Sequence, residues 1–288
     1  MTRRTDAPTH RRTGLSALAV CAALGLISLT GARQQAPTLP ADEAGVVAAL
    51  NASPRHGEWV KYDAGSGDSV RAWVVYPERR DKAPVVIVIH EIFGLTDWAR
   101  GVADQLAAEG FIAIAPDLLS GKGPNGGGSE SVDRQAATAL NRALVGTEVQ
   151  RRLAAAARYG TSLPSARNRV GSVGFCWGGG TSFNFAVNFA NLGAAVVYYG
   201  PSPADSLLGS IRAPVLGLYG GDDARIGATV PPAQAAMQQL HKRYDVASYD
   251  GAGHGFLRDL AGRDGANRRA AEQAWPRTIA FFRDNLGR

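Results

Sequence analysis

Short runs of apolar residues alternate along the chain with longer stretches in which apolar and polar residues repeat at helical spacing. The apolar runs predict strands, most of them buried on both faces, at 85–89, 111–115, 170–175, 194–199, 214–219 and 244–249. The helical stretches lie at 97–109, 132–159 (one long helix, or two with a break near Gly146), 181–189, 231–243 and 267–286. This alternation predicts an α/β fold, with a mostly parallel central sheet of about eight strands and helices on both faces.

Before the first buried run, the pattern is different. Residues 57–78 predict two strands joined by a hairpin turn at 63–68, which form an antiparallel edge of the sheet. Residues 33–57 form a leader with a short helix near 43–50 and no visible chemistry, and the glycine-rich stretch 118–131 predicts a long loop that could cover a site. Because the composition does not change further along, we expect one domain at 58–288.

The stretch at 170–180 places a thiol at a tight turn between a strand and a helix. Gly174 and Gly178 flank Cys176 at the spacing of a nucleophile elbow, in which these neighbours are small because their backbones pass close to each other. The following helix directs its first N–H groups at the nucleophile, so we expect a lowered thiol pKa and half of an oxyanion hole. The alternative is a buried core cysteine beside a glycine-rich turn.

Composition and charge then exclude some partners. With 288 residues, 45% of them hydrophobic and 19% charged, the chain has the composition of a globular protein. The formal net charge is +6, but residues 1–32 carry four arginines and one aspartate, so that the remainder carries +3. No run of lysine and arginine with interleaved aromatic residues occurs in that remainder, and we therefore expect no nucleic-acid partner.

Residues 1–32 have the three parts of an export signal, which are a basic start, an apolar run at 14–29 and small residues at 30–32. We expect cleavage after Ala32 and export to the periplasm or the medium, by the Sec route or, because Arg11 and Arg12 precede the apolar run, by the twin-arginine route. A retained anchor is the alternative, but a run of about 16 residues is short for a bilayer, so we expect no stable membrane span after processing.

The export signal changes the interpretation of the two cysteines. Cys21 lies inside the predicted signal, which leaves Cys176 as the only cysteine of the processed chain. An unpaired thiol outside the cytoplasm is open to oxidation, and its presence there favours a chemical function over packing.

Two further candidates follow later strands in the order expected of an α/β-hydrolase, in which the acid and then the histidine come after the nucleophile. Asp222 and Asp223 follow the strand at 214–219, and His254 follows the strand at 244–249 between two glycines. In this scheme Cys176 attacks an ester carbonyl, His254 takes and returns the proton, and an aspartate orients the imidazole. Whichever of the two aspartates does not orient the imidazole would cap the turn.

The end of the strand at 85–89 completes the predicted site. The backbone N–H groups of Ile92 and Trp177 are expected to form the oxyanion hole. Glu91 has two interpretations, an ion pair with a nearby arginine or a switch that controls the thiol's protonation. His90 lies in the same region, but no further ligands cluster with it, and we expect no metal.

The chain resembles the dienelactone hydrolase family over about residues 60–286. The resemblance lies in five motifs, at 90–94, 115–118, 174–179, 220–223 and 253–256. It implies an α/β-hydrolase fold, no cofactor, and a triad of Cys176, His254 and, by the spacing after the double glycine, Asp223. The expected activity is hydrolysis of carboxylic ester or lactone bonds in a small molecule, by a monomer.

The resemblance also implies roles for residues around the triad. Glu91 matches a glutamate that pairs with the thiol in the resting enzyme and changes partner when substrate arrives. Arg258 matches an arginine that binds a substrate carboxylate, and Phe93 belongs to the first motif beside it. The second substrate-binding arginine is Arg134 or Arg142, because this segment departs from the family pattern.

Two other functions remain as alternatives. One is a non-catalytic member of the α/β-hydrolase fold that binds a ligand at the cell envelope, for which a broken triad would be expected. The other is a dinucleotide-binding oxidoreductase, but the glycines around Cys176 lack the required spacing and no early βαβ unit precedes them. Turnover of a chromogenic short-chain ester would distinguish ester hydrolysis from both.

Overall fold

A computed structural model describes residues 1–5 and 37–287 of the chain. The described residues fall into two units, one with residues 1–5 and a second, compact unit with residues 37–287. Residues 1–5 contain no helix or strand. The predicted apolar run at 14–29 and the predicted cleavage after Ala32 lie outside the described residues. No helix within the described part of the chain has the length and apolar character needed to cross a bilayer.

The second unit is built on one sheet of eight strands. The strands are β1 (Gly57–Gly65), β2 (Asp68–Val75), β3 (Ala83–Ile89), β4 (Ile112–Pro116), β5 (Ala166–Phe175), β6 (Ala194–Tyr198), β7 (Val215–Gly220) and β8 (Tyr244–Tyr249). The helices are α1 (Val46–Ala52), α2 (Asp97–Ala108), α3 (Arg134–Ala143), α4 (Gly146–Ser162), α5 (Trp177–Asn188), α6 (Ala224–Gly227), α7 (Val230–Gln239) and α8 (Ala266–Leu286).

The order of the strands determines where a site can form. Across the sheet the order is β1-β2-β4-β3-β5-β6-β7-β8, in which β1, β2 and β4 pair antiparallel and all other neighbours pair parallel. The chain passes from β3 to β4 on one side and then crosses to β5 on the other, so the strand order reverses at β3. In open α/β sheets, ligands bind beyond the carboxyl ends of the strands at such a reversal.

The core lies on both faces of the sheet because successive side chains of a strand point to opposite faces. In β3, which is buried throughout, Val86 and Val88 belong to the apolar cluster that includes residues of α1, α2 and α8. Val85 and Ile87 belong to the cluster that includes residues of α4, α5 and α7. The predicted fold class, a mostly parallel sheet of about eight strands with helices on both faces, is confirmed.

Some helices begin or end at other residues than the sequence predicted, and a physical reason can be given. The helix expected at 181–189 begins at Trp177, because the glycines at 178–180 are required there by close neighbours despite their low helix propensity. The helix expected at 231–243 ends at Gln239, and His241 has a left-handed backbone with φ of 53°. For the stretch at 132–159, the alternative of two helices with a break near Gly146 is confirmed, and Gly146 begins the second helix.

The leader residues 37–57 pack onto the domain. Val46 at the start of α1 is 2% exposed and belongs to the core cluster of α2 and α8. A Cβ added to Gly101 of α2 would lie 2.3 Å from Cγ2 of Val46, so the two helices are in close contact. The segment before α1 is therefore held against the domain by apolar packing.

Candidate active site

Cys176 lies in the tight turn between β5 and α5, at the reversal of strand order. Its backbone has φ of 57° and ψ of −118°, a combination that L-residues rarely adopt and that costs roughly 1–3 kcal/mol. A Cβ added to Gly174 would lie 1.8 Å from the carbonyl oxygen of Gly178, so the two backbones pass in contact. Neither position can accept a side chain, as the sequence analysis predicted from the elbow spacing.

Two backbone N–H groups lie beside the Cys176 sulfur, one from Trp177 at the start of α5 and one from Ile92 after β3. Burial, and after it the negative charge of Glu91, raise the pKa of Cys176, although the two N–H groups act in the opposite direction. The expectation of a lowered thiol pKa was therefore wrong, because the helix N-terminus does not compensate for loss of solvent. A raised pKa favours the neutral form of the thiol in the resting site.

His254 pairs with Asp223 in the loops after β8 and β7. Nδ1 of the imidazole lies 2.5 Å from Oδ2 of the carboxylate, and Asp223 is 8% exposed. Oδ1 of Asp223 also accepts a hydrogen bond from the N–H of Ile226, at 3.4 Å, and so caps α6. Asp222 does not cap the turn as expected, since its side chain points outward and forms an exposed ion pair with Arg263 at 3.2 Å.

The Cys176 thiol and the His254 imidazole both follow the carboxyl ends of parallel strands. Among the hydrogen bonds of the described residues, none joins Cys176 to His254. The ring of Tyr199 packs edge-on against the imidazole, with 5.1 Å between the ring centroids. Tyr199 is fully buried after β6, has φ of 38°, and its hydroxyl has no hydrogen-bond partner. Tyr199 has no sequence signal of a functional role, because an aromatic residue at the end of a buried strand cannot be distinguished by sequence from a core residue.

Glu91, two residues after the end of β3, is 4% exposed and forms an ion pair with Arg258, with 2.7 Å between Oε2 and Nε. Burial raises the pKa of Glu91 to about 7, although the positive charge of Arg258 opposes the shift. Of the two interpretations of Glu91, the ion pair with an arginine is the one present here. The charge of Glu91 nevertheless reaches the thiol, because it is the second cause of the raised pKa of Cys176.

The predicted substrate-binding residues lie together at the mouth of the site. The guanidinium of Arg134, at the start of α3, lies over the ring of Phe93 at 3.7 Å, and that of Arg258 lies 5.5 Å from the same ring. Arg142, the alternative to Arg134, is exposed in the last turn of α3. Glu43 of the leader bridges Arg134 and Arg258, and no sequence motif had indicated it.

His90 holds the backbone of the segment that follows β3. Its Nδ1 donates to the carbonyl of Glu91 at 2.7 Å, and its Nε2 accepts from the N–H of Leu118 at 3.2 Å. The ring stacks on Trp177 with 5.7 Å between centroids. Burial lowers the pKa of His90, which favours the neutral ring. The two hydrogen bonds leave neither ring nitrogen free to bind another group. No group of three metal-ligating side chains occurs within residues 1–5 and 37–287.

The glycine-rich loop at 118–131 is tied to the same edge of the sheet. Asp117 accepts hydrogen bonds from the backbone N–H of Ser129 at 2.8 Å and from its hydroxyl at 2.5 Å. The Ser129 hydroxyl in turn accepts from the N–H of Leu95 at 2.8 Å. The end of the loop therefore holds the segment that carries Ile92.

Comparison with known proteins identifies the family of the chain. The profile of the dienelactone hydrolase family matches residues 70–286. A Salmonella typhimurium protein provisionally named carboxymethylenebutenolidase is 33% identical over 233 residues, which cover 75% of this chain and 83% of that protein.

Solved structures show the same similarity. The structure of a provisionally assigned dienelactone hydrolase from Klebsiella pneumoniae has 28% identity and a TM-score of 0.69, covering 79% of this chain and 98% of its own. A dienelactone hydrolase-like promiscuous phosphotriesterase from metagenomic libraries has 26% identity and a TM-score of 0.68, covering 81% and 99%. With a family profile matched over most of its length, the chain belongs to the dienelactone hydrolase family of carboxylic ester hydrolases.

Proposed function

We propose that the protein hydrolyses carboxylic ester or lactone bonds of small molecules through a triad of Cys176, His254 and Asp223. The observation that supports this most strongly is the position of the thiol. Cys176 lies in a strained turn at the reversal of strand order, with the N–H groups of Ile92 and Trp177 beside its sulfur. The paired imidazole and carboxylate face the same edge of the sheet.

The first half of the reaction acylates the thiol. The Cys176 side chain turns toward His254, whose Nε2 takes the thiol proton while the sulfur attacks the carbonyl carbon. The carbonyl oxygen, now negative, takes the place of the sulfur between the N–H groups of Ile92 and Trp177. When the tetrahedral intermediate collapses, the C–O bond breaks and the alkoxide leaves with the proton from His254. The product is a thioester on Cys176 and a free alcohol.

The second half restores the enzyme. His254 takes a proton from water, the hydroxide attacks the thioester carbonyl, and the same two N–H groups hold the oxyanion. The C–S bond breaks, the carboxylic acid is released, and the sulfur regains the proton from His254. Asp223 keeps the imidazole proton on Nδ1 throughout and stabilises the imidazolium that forms in each half.

Hydrolysis of 4-nitrophenyl acetate tests this assignment. Wild type should release 4-nitrophenolate, and Cys176→Ala should lose several orders of magnitude in kcat without a change in Tm, because triad members act as a unit. Cys176→Ser should retain a little activity, since a hydroxyl needs a stronger base than a thiol. If iodoacetamide labels Cys176 completely and turnover continues, the thiol is not the nucleophile. If no ester is turned over, the ligand-binding alternative is favoured.

We also propose that the protein is exported and that the mature chain begins near Arg33. The support is the basic start, the apolar run and the small residues at 30–32. Intact-mass measurement on protein recovered outside the cytoplasm should give a chain that starts near Arg33. Recovery of the full-length chain in the cytoplasm would contradict the proposal.

A further inference from the structure

Two arginines at the mouth of the site converge on a carboxylate that belongs to the protein itself. Oε1 of Glu43 lies 2.7 Å from Nη1 of Arg134, and Oε2 lies 2.6 Å from Nη1 of Arg258. Each carboxylate oxygen therefore has its own guanidinium. This is the geometry with which two arginines would hold the carboxylate of a bound molecule.

The backbone around Glu43 fixes this carboxylate in place. The N–H of Glu43 donates to the carbonyl oxygen of Arg258 at 3.0 Å. Directly after it, the N–H of Gly45 donates to Oδ1 of Asp42 at 3.0 Å and closes a tight turn. Val46 then anchors the segment in the core. The backbone of Glu43 is thus held in place by the packing of its segment, even though the Glu43 side chain is 38% exposed.

The bridge lies next to the reacting groups. Arg258, one of its two arginines, also pairs with Glu91, whose charge raises the pKa of the Cys176 thiol. A cavity of about 440 Å³ opens beside the bridge, and its lining includes Glu43, Arg258 and His254. A substrate group that approached His254 through this cavity would meet Glu43 on its wall.

The charges at this mouth nearly cancel. Arg134 and Arg258 carry two positive charges, Glu43 carries one negative charge, and Glu91 adds a second when it is ionised. Burial opposes ionisation of Glu43, but hydrogen bonds from Arg134 and Arg258 hold its pKa below the ordinary value, so it stays negative. An incoming anion therefore meets a net charge of +1 or zero, depending on the ionisation of Glu91, rather than the two positive charges of the arginines alone.

We infer that Glu43 is a specificity-determining residue that occupies the anion-binding position of Arg134 and Arg258 and excludes ligands that carry a carboxylate there. Where the proposed ester hydrolysis holds, it follows that uncharged esters are preferred over esters with an acidic side arm. The family resemblance had implied that Arg258 binds a substrate carboxylate, and in this chain a carboxylate of the leader already holds that position.

Competition favours the internal carboxylate for two reasons. A group on the same chain acts at an effective concentration on the order of millimolar or higher, above that of most free substrates. In addition, a second carboxylate beside Glu43 would be repelled, and moving Glu43 aside would break two charge-assisted bonds. Removing its charge should open the arginines to an external anion.

The test compares two esters with the same leaving group, 4-nitrophenyl acetate and the mono-4-nitrophenyl ester of glutaric acid, which carries a free carboxylate. For Glu43→Gln we expect the ratio of kcat/KM for the glutarate ester to kcat/KM for the acetate to rise by about tenfold or more. Adding Arg134→Gln to Glu43→Gln should remove the gain, because the external carboxylate then loses one of its partners.

Glu109→Gln is the matched control. It also removes one negative charge and breaks an ion pair with an arginine, Arg283, at 2.8 Å. Glu109 precedes β4 and so lies near the amino ends of the parallel strands, whereas the site lies beyond their carboxyl ends. The ratio of the two kcat/KM values should not change in this variant. An equal change in both variants, or no change in Glu43→Gln, would overturn the inference.

Binding of free glutarate separates this inference from the proposed reaction. Calorimetry on Cys176→Ala requires no turnover, and adding Glu43→Gln should lower the Kd of glutarate by about tenfold or more. If glutarate binds more tightly and no ester is hydrolysed, the exclusion by Glu43 stands and the hydrolase proposal fails. If esters are hydrolysed but Glu43→Gln alters neither the Kd of glutarate nor the ratio of the two kcat/KM values, the hydrolase proposal stands and the exclusion by Glu43 fails.

Discussion

The pairing of Asp223 with His254 predicts that two adjacent aspartates respond differently to the same substitution. Asp223 is 8% exposed and its carboxylate lies 2.5 Å from Nδ1 of His254. Asparagine at this position would present an amide N–H to Nδ1, so the imidazole would carry its proton on Nε2. In that tautomer Nε2 cannot accept the thiol proton. Asp223→Asn should therefore fold and bind substrate but lack a general base.

The expected magnitudes lie far apart. A wrong imidazole tautomer costs on the order of 10⁴ in kcat in triads of this kind, which is roughly 5 kcal/mol of transition-state stabilisation. Asp222 forms an exposed ion pair with Arg263 at 3.2 Å, and such pairs contribute about 0–1 kcal/mol to stability. Asp222→Asn should therefore keep kcat within about twofold and lower Tm by no more than about 4 °C.

The assay measures kcat for 4-nitrophenyl acetate at saturation and Tm by circular dichroism, on both variants purified in the same way. Asp222→Asn is the matched control, because it makes the same chemical change one residue away. The reasoning is refuted if Asp223→Asn keeps kcat within about tenfold of wild type, or if Asp222→Asn loses as much activity as Asp223→Asn while both stay folded.

Three further predictions concern the turn, the buried glutamate and the thiol. A Cβ at Gly178 would lie 2.3 Å from the carbonyl oxygen of His90, whereas one at Gly209 would meet nothing within 4 Å. Gly178→Ala should therefore lower the free energy of unfolding in urea by about 1–3 kcal/mol or more, and Gly209→Ala should lower it much less. Equal losses in the two variants would contradict this. Because the pKa of Glu91 is raised from 4.5 to about 7, the folded protein binds more protons than the unfolded chain in that interval. As the pH rises through about 7, the unfolding free energy of wild type should therefore fall relative to that of Glu91→Gln, by up to roughly 3 kcal/mol. A difference between the two proteins that does not change with pH would contradict this prediction. Since the charge of Glu91 helps to raise the pKa of Cys176, Glu91→Gln should speed iodoacetamide alkylation several-fold near neutral pH, and an unchanged rate would refute the coupling.

The sequence by itself determined the fold class and the places where chemistry could lie. Buried strands such as β3 are continuous apolar runs, and the glycine spacing around Cys176 is a local requirement of backbone contact, so both are readable without a structure. The order of the acid and the histidine along the chain follows from parallel strands whose carboxyl ends share one edge. Helix boundaries were less accurate where a tertiary contact required glycine, as at the start of α5.

The tertiary structure alone decided how the charged groups pair. Burial is a property of the folded chain, and for Cys176 it reverses the pKa shift that the helix N-terminus by itself predicts. The choice between an arginine and the thiol as the partner of Glu91, and the side on which Asp222 points, depend on directions that sequence spacing does not encode. The largest gap is Glu43, which lies 215 residues before Arg258 in the chain. The contact between Glu43 and Arg258 exists only because α1 packs into the core. A local sequence pattern cannot predict a pair that forms only when distant segments fold together.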